Sequence, residues 1–398
     1  MNKSSSFVDL ISRFTEDVVS HRDLEQKLSK SESSGIPLRV KFGIDPTFTD
    51  VHIGHAVPIR LLRLFQDAGH LPVLILGDST ARLGDPTGRN EQRPPLSEDE
   101  VESNATTYLK QIAKVLDLSE DRCEVRRNSE WFGSWDFFDA LKLLGKGTVA
   151  RLMERDDFQK RAQKNLPIYL HETIYPLMQG QDSVEVQADI ELGGTDQLFN
   201  LHMGRQLQER AGQSPQVCIT TPLLLGTDGR KMSKTYGNHV ALNAPAKDVF
   251  GKVMSIPDET MAAWYSLGTP LGDDEIKALL AGHPRDAKVR LAKEICTWIH
   301  DEKSADAAAD AFQNQFRDKK LPTDIPSTTL TEKSWPLPSL LKELGLCAST
   351  SEARRLLQGG GVRVNEKVLS DPQEIIALSS EPLLIQVGKR KFCRVTSP

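Results

Sequence analysis

The chain has 398 residues, 38% of them hydrophobic and 26% charged, an ordinary globular composition whose length implies two or three domains. No run approaches the roughly 18 apolar residues of a membrane span, and the opening MNKSSSFVDLISRF lacks the apolar core of a secretory leader. The net charge of −5 gives no hint of a nucleic-acid partner by itself, and five scattered cysteines without a CxxC pair argue against disulfides and zinc and for a reducing cytoplasm.

Residues 38–45 (LRVKFGID) and 72–77 (PVLILG) are apolar, β-rich runs ending at Gly or Asp. Between them 55–69 (HAVPIRLLRLFQDAG) repeats apolar residues at helical spacing and stops at Gly69. Strand, helix, strand is a βαβ unit, which predicts an α/β fold on a parallel sheet with a right-handed crossover. In such open sheets ligands bind beyond the carboxyl ends of the strands. That is where Gly43-Ile44-Asp45-Pro46-Thr47 and Gly77-Asp78-Ser79 fall. A charged helical middle follows at 97–118 and 135–165, then a motif-dense stretch from Tyr175 to Gly237. The pattern predicts a Rossmann-like domain over 1–240 and an α-helical domain over 241–320. Pro, Thr and Ser crowd 321–337, read as a linker, and 338–398 is a small α-then-β module.

Three groups of residues carry chemistry. Asp45-Pro46-Thr47 precedes His52-Ile53-Gly54-His55 at a helix start. Two histidines three apart share a helix face, beside backbone N–H groups and a dipole that favour phosphate. Gly54 leaves room for a flat base to stack on the backbone. Two surface histidines at a helix start would leave the same trace. Gly229-Arg230-Lys231-Met232-Ser233-Lys234-Thr235 makes a cationic loop flanked by Gly237, which alone reads equally as a solvated basic turn. No Walker A pattern is present. Finally, Tyr175, Gln179 and Asp182 stand at i, i+4 and i+7 of one helix face, which predicts a polar pocket.

The first two groups, in this order, resemble the HIGH and KMSKS signatures of class I aminoacyl-tRNA synthetases, with Thr235 in place of the last Ser. With Tyr175-Pro176-Leu177-Met178-Gln179-Gly180-Gln181-Asp182, Glu191-Leu192-Gly193-Gly194-Thr195-Asp196-Gln197 and Gly84-Asp85-Pro86-Thr87-Gly88-Arg89, the chain resembles tyrosyl-tRNA synthetases from about Leu38 onward. The resemblance implies that Asp182 accepts the substrate phenol hydroxyl while Tyr175, Gln179 and Asp85 hold its ammonium, at a pocket that includes Gly43. It implies that Asp45, Gly54, Asp196 and Gln197 hold the adenylate, that Thr47, His52 and His55 meet ATP, and that Lys231, Lys234, Thr235, Arg89 and Arg93 embrace the pyrophosphate. Many members carry Tyr where this chain has Lys41, and Gln where it has Glu191. Lys41 then either takes over the phenol contact or points elsewhere. ATP with magnesium is implied as a substrate, with no tightly bound cofactor.

From Pro336 onward nine Lys plus Arg meet six Asp plus Glu, so this tail is basic on an acidic body. It resembles an S4-type RNA-binding domain, in which Arg354, Arg355, Arg363, Lys389, Arg390 and Lys391 would meet phosphates of tRNA. The aromatic segment 125–165 reads as core from its composition. The family implies that it forms a homodimer interface. Tryptophanyl-tRNA synthetases share the fold and both signatures, and a synthetase-derived RNA-binding protein is the alternative from another class. A stand-alone HxGH adenylyltransferase would lack the tail.

Overall fold

The computed structural model describes residues 3–47, 49–84, 96–233, 236–317, 325–365, 367–388 and 391–397. Two compact units divide it, Met1–Phe312 and Gln313–Pro398.

The first unit is built on β1 (Val18–Val19), β2 (Arg39–Ile44), β3 (Leu71–Leu76), β4 (Glu124–Arg127), β5 (Ile190–Gly194) and β6 (Val217–Thr221), in the order β1-β6-β5-β2-β3-β4. All neighbours are parallel except β1, which runs antiparallel to β6. The central strands are buried on both faces, which is why VLIL and VCITT read as unbroken apolar or β-branched runs. From β2 the chain moves outward to β3 and β4, then crosses back to place β5 on the other side of β2. The switch point between β2 and β5 opens a crevice at their carboxyl ends.

The helix Ile53–Asp67 buries Ile59, Leu62 and Phe65 against the sheet, as its spacing predicts. The helix Glu98–Ile112 opens on a capping box between Ser97 and Glu100. The helices Ala246–Met254, Met261–Gly268 and Pro284–Ile299 share one continuous hydrophobic cluster with the sheet, including Phe14, Ile59, Trp264 and Leu291. The helical stretch 241–320, expected as a separate domain, therefore has no core of its own up to residue 312. The aromatic span 125–165, expected to form a homodimer interface, begins inside β4, a short edge strand whose residues EVRR are all half-buried. Charged residues mask a strand there because only its backbone needs the sheet.

The second unit holds the sheet β10-β9-β12-β13-β7, made of β7 (Ser327–Thr329), β9 (Val362–Val364), β10 (Lys367–Leu369), β12 (Leu383–Val387) and β13 (Lys391–Thr396). A two-stranded ladder pairs β8 (Ser334–Pro336) with β11 (Ile375–Ala377). The helices Leu337–Glu343 and Thr350–Gln358 pack Leu340, Leu341, Ala353 and Leu357 against these strands in a separate core. Both β7 and β8 fall within 321–337, so much of the expected linker is pleated into this module. All five cysteines are buried and unbridged. Among the described residues no helix is long and apolar enough to cross a membrane.

Candidate active site

Backbone pairing brings together the two signatures that lie far apart in sequence. Ile53 N–H donates to Val240 O at 2.9 Å and Leu242 N–H to Val51 O at 2.9 Å, so the segment after the cationic loop lies along the entry to the first helix. His52 bridges Ala241 in the same ladder. The rings of His52 and His55 stack with centroids 3.6 Å apart. A Cβ on Gly54 would come within 3.1 Å of the His52 ring and 3.5 Å of Met232 Sδ, so glycine keeps this surface open.

These elements wall a cleft of about 500 Å3 at the carboxyl ends of β2, β3, β5 and β6. Gly43, Asp45, Thr47, His52, Gly54 and His55 line one side, and Tyr175, Gln179 and Asp182 line the base. Asp196, Gln197 and Lys231 line its rim. The helix Tyr175–Glu185 presents its three polar residues to one space, as their spacing predicts.

At the base, the Asp182 carboxylate is 4% exposed and accepts from Trp131 Nε1 at 3.0 Å. Burial pushes its pKa up to about 7, against the opposing influence of the nearby Lys41 ammonium and the Trp131 N–H. Beside it, Asp45 accepts the Tyr175 hydroxyl at 2.9 Å and the Thr80 hydroxyl at 2.7 Å, and Asn128 Nδ2 in turn donates to Thr80 at 3.1 Å. A side chain at Gly77 would overlap Asp45 and Thr80, so the turn after β3 must be bare.

Lys41, expected among the substrate contacts, does not line the cleft. Its side chain is 0% exposed, and its ammonium donates to Gln179 O at 2.8 Å, Ser183 Oγ at 2.7 Å and Glu191 Oε1 at 2.9 Å. A desolvated ammonium needs a counter-charge and three acceptors, and this site beneath the pocket supplies all of them. Glu191 is the counter-charge; its other oxygen accepts from Ser183 and from the Gln216 amide.

At the rim, Lys231 Nζ lies 3.0 Å from Asp196 Oδ2. Asn238 holds the described stems of the loop: its amide donates to Asp228 at 2.7 Å and Lys231 O at 3.1 Å, and its oxygen accepts from Ser233 N at 2.8 Å. A Cβ on Gly226 would strike Asn238. Asp85, Arg89, Arg93, Lys234, Thr235, Lys389 and Arg390 lie outside the described residues. In the second unit Arg354 and Arg355 are exposed on the helix Thr350–Gln358, Arg363 is half-buried on β9, and Lys391 donates to Leu346 O at 2.9 Å. The Lys391 contact ties β13 to the helix pair.

Sequence reading misses Trp131, Asn128 and Thr80 at the site. Their connections span some 50 residues, and the only local signal is a tryptophan whose N–H needs a buried acceptor.

Comparison with known proteins agrees with this geometry. A model of tRNA synthetases class I (W and Y) matches residues 33–317, and a model of the S4 domain matches 335–381. The chain is 46% identical over 393 residues to a tyrosine–tRNA ligase of Moorella thermoacetica, covering 97% of this chain and 94% of that one. It is 45% identical to that of Francisella tularensis, over 99% of both. A solved tyrosyl-tRNA synthetase of Archaeoglobus fulgidus, complexed with L-tyrosine, superposes with a TM-score of 0.61 at 26% identity, covering 77% of this chain and all of that one. The fold, the convergent cleft and these likenesses together place the chain: it belongs to the class I tRNA synthetases of the W and Y group and, within it, to the tyrosine–tRNA ligases.

Proposed function

We propose that this chain activates L-tyrosine with ATP and transfers it to the 3′ end of tRNA(Tyr). The observation that carries the reading is the base of the cleft, where buried Asp182 stands on one helix face with Gln179 and Tyr175. An ionised Asp182 accepts the phenol hydroxyl beside the Trp131 N–H. With its proton committed to Asp45, the Tyr175 hydroxyl offers the substrate ammonium an oxygen acceptor. Gln179 and Asp85 complete the ammonium site, and Gly43 gives the substrate room along β2.

The substrate carboxylate is already a nucleophile at neutral pH, so attack on the α-phosphate needs no general base. It needs positive charge where negative charge develops. Thr47, His52 and His55 meet the phosphates and base of ATP, which enters with magnesium, and Gly54 admits the adenine. Lys231, Lys234, Thr235, Arg89 and Arg93 embrace the departing pyrophosphate, while Asp45, Asp196 and Gln197 hold the adenylate.

The S4 module supports tRNA binding: Arg354, Arg355, Arg363, Lys389, Arg390 and Lys391 meet its phosphates. A second copy covers the apolar face on which Phe137 is 73% and Phe138 67% exposed, flanked by Leu141 and Val149. Such a patch on a water-facing helix favours association. Phe137→Asp is expected to yield monomers in sedimentation. In a reducing cytoplasm the five thiols stay unpaired.

Amino-acid-dependent pyrophosphate–ATP exchange with each of the twenty amino acids tests the reading. Exchange with tyrosine alone supports it, exchange with tryptophan overturns the specificity, and no exchange overturns the activity.

A further inference from the structure

Gln179 lies on the cleft wall, yet its amide is held at both ends by groups outside the cleft. Its Nε2 donates to Glu191 Oε1 at 3.1 Å, and its Oε1 accepts from Asn200 Nδ2 at 3.0 Å. Neither partner can reverse its polarity. Glu191, paired with the Lys41 ammonium, is a carboxylate and only accepts. Asn200, 1% exposed, is fixed from behind: its Oδ1 accepts from Arg155 Nη1 at 2.8 Å, and a guanidinium only donates. Its Nδ2 is therefore turned to Gln179 and to Gln197 Oε1, at 2.9 Å. Arg155 is gripped by both oxygens of Asp157 and sits over the rings of Phe158 and Phe199. A reversed Gln179 amide would set N–H against N–H at Asn200 and oxygen against oxygen at Glu191.

We infer that Arg155, Asn200 and Glu191, with Lys41 behind it, are positioning residues that fix the polarity of Gln179 so that its carbonyl oxygen serves the substrate ammonium. The inference rests on the tyrosine reading given above. An ammonium only donates, and a carbonyl oxygen has two lone pairs, so Oε1 serves Asn200 and the ligand together. Arg155, Asn200 and Glu191 do not line the cleft, so their signature is a loss confined to the ammonium and absent from the phenol end.

Equilibrium binding of L-tyrosine and of 3-(4-hydroxyphenyl)propionate, which is tyrosine without its amino group, separates these. In Asn200→Ala the dissociation constant for tyrosine rises about tenfold, while that of the analogue moves by less than about twofold. Arg155→Lys keeps a donor-only group and retains tyrosine affinity, whereas Arg155→Met loses it with the same selectivity. Should Asn200→Ala not fold, the Arg155 pair makes the same comparison. Equal weakening of both ligands overturns the inference. A wild-type chain that binds no tyrosine overturns the substrate reading and this inference with it.

Discussion

Two lysine–carboxylate pairs serve this cleft at nearly the same length. Lys41 meets Glu191 at 2.9 Å beneath the base, with side chains 0% and 1% exposed, and Lys231 meets Asp196 at 3.0 Å on the rim, with side chains 61% and 32% exposed. The buried pair has lost its water and holds its geometry through five further hydrogen bonds from or to Gln179, Ser183 and Gln216. The exposed pair is solvated and easily exchanged for another partner. Recognition of one small molecule asks for fixed polarity, and stabilising charge that appears only during reaction asks for cations that can arrive late. On the proposed function, the two ends of the cleft divide these tasks.

The largest effect that would break the contrast is on stability. Lys41→Met leaves Glu191 buried without its counter-charge, at an expected cost of about 3–5 kcal/mol in chemical denaturation. The double variant Lys41→Met with Glu191→Gln recovers most of that loss. Equal stability of the single and double variants would mean the pair is not coupled.

Next comes the rate of the chemical step. Lys234→Ala slows adenylate formation by about 100-fold or more in single-turnover kinetics, with tyrosine affinity unchanged. A loss confined to tyrosine affinity would mean that this lysine does not stabilise the developing phosphate charge. At the base, Asp182→Asn lowers kcat/KM for tyrosine by about 10- to 100-fold, mostly through KM, because a charge-assisted hydrogen bond is replaced by a neutral one.

The pH dependence sharpens the picture further. Burial pushes the Asp182 pKa up to about 7, and on the proposed function its ionised form accepts the phenol proton, which stays on the phenol throughout this range. The tyrosine KM therefore falls as pH rises from 6 to 8, by up to about tenfold per unit below the midpoint. Because Lys41 holds that midpoint down, Lys41→Met moves it to higher pH. A flat profile would show that Asp182 does not change its ionisation between pH 6 and 8. The smallest expected effect is the stability of Lys231→Ala, within about 1 kcal/mol of the wild type, since exposed pairs contribute little. Its cost should appear in adenylate formation instead.

Much of the site is local in sequence. The strands β2 and β3, the helix Ile53–Asp67 and the helix Tyr175–Glu185 follow from apolar periodicity and from spacings of four and seven residues. Local patterning thus determined which residues share a face, and the motifs with their likeness to a family determined the chemistry. It did not reveal that EVRR is a strand, because an edge strand needs no apolar pattern, nor that 327–329 and 334–336 are pleated into the C-terminal module.

Only the tertiary structure decided where the buried charges go. Lys41 reads from sequence as a candidate phenol ligand, and its position on an inward-facing strand allows that. Its ammonium turns instead to Glu191, because a desolvated charge goes to the partner that offsets its burial, and that partner lies 150 residues away. Trp131 on Asp182 and Arg155 behind Asn200 are contacts of the same kind, set by packing between distant elements and invisible to any periodicity along the chain.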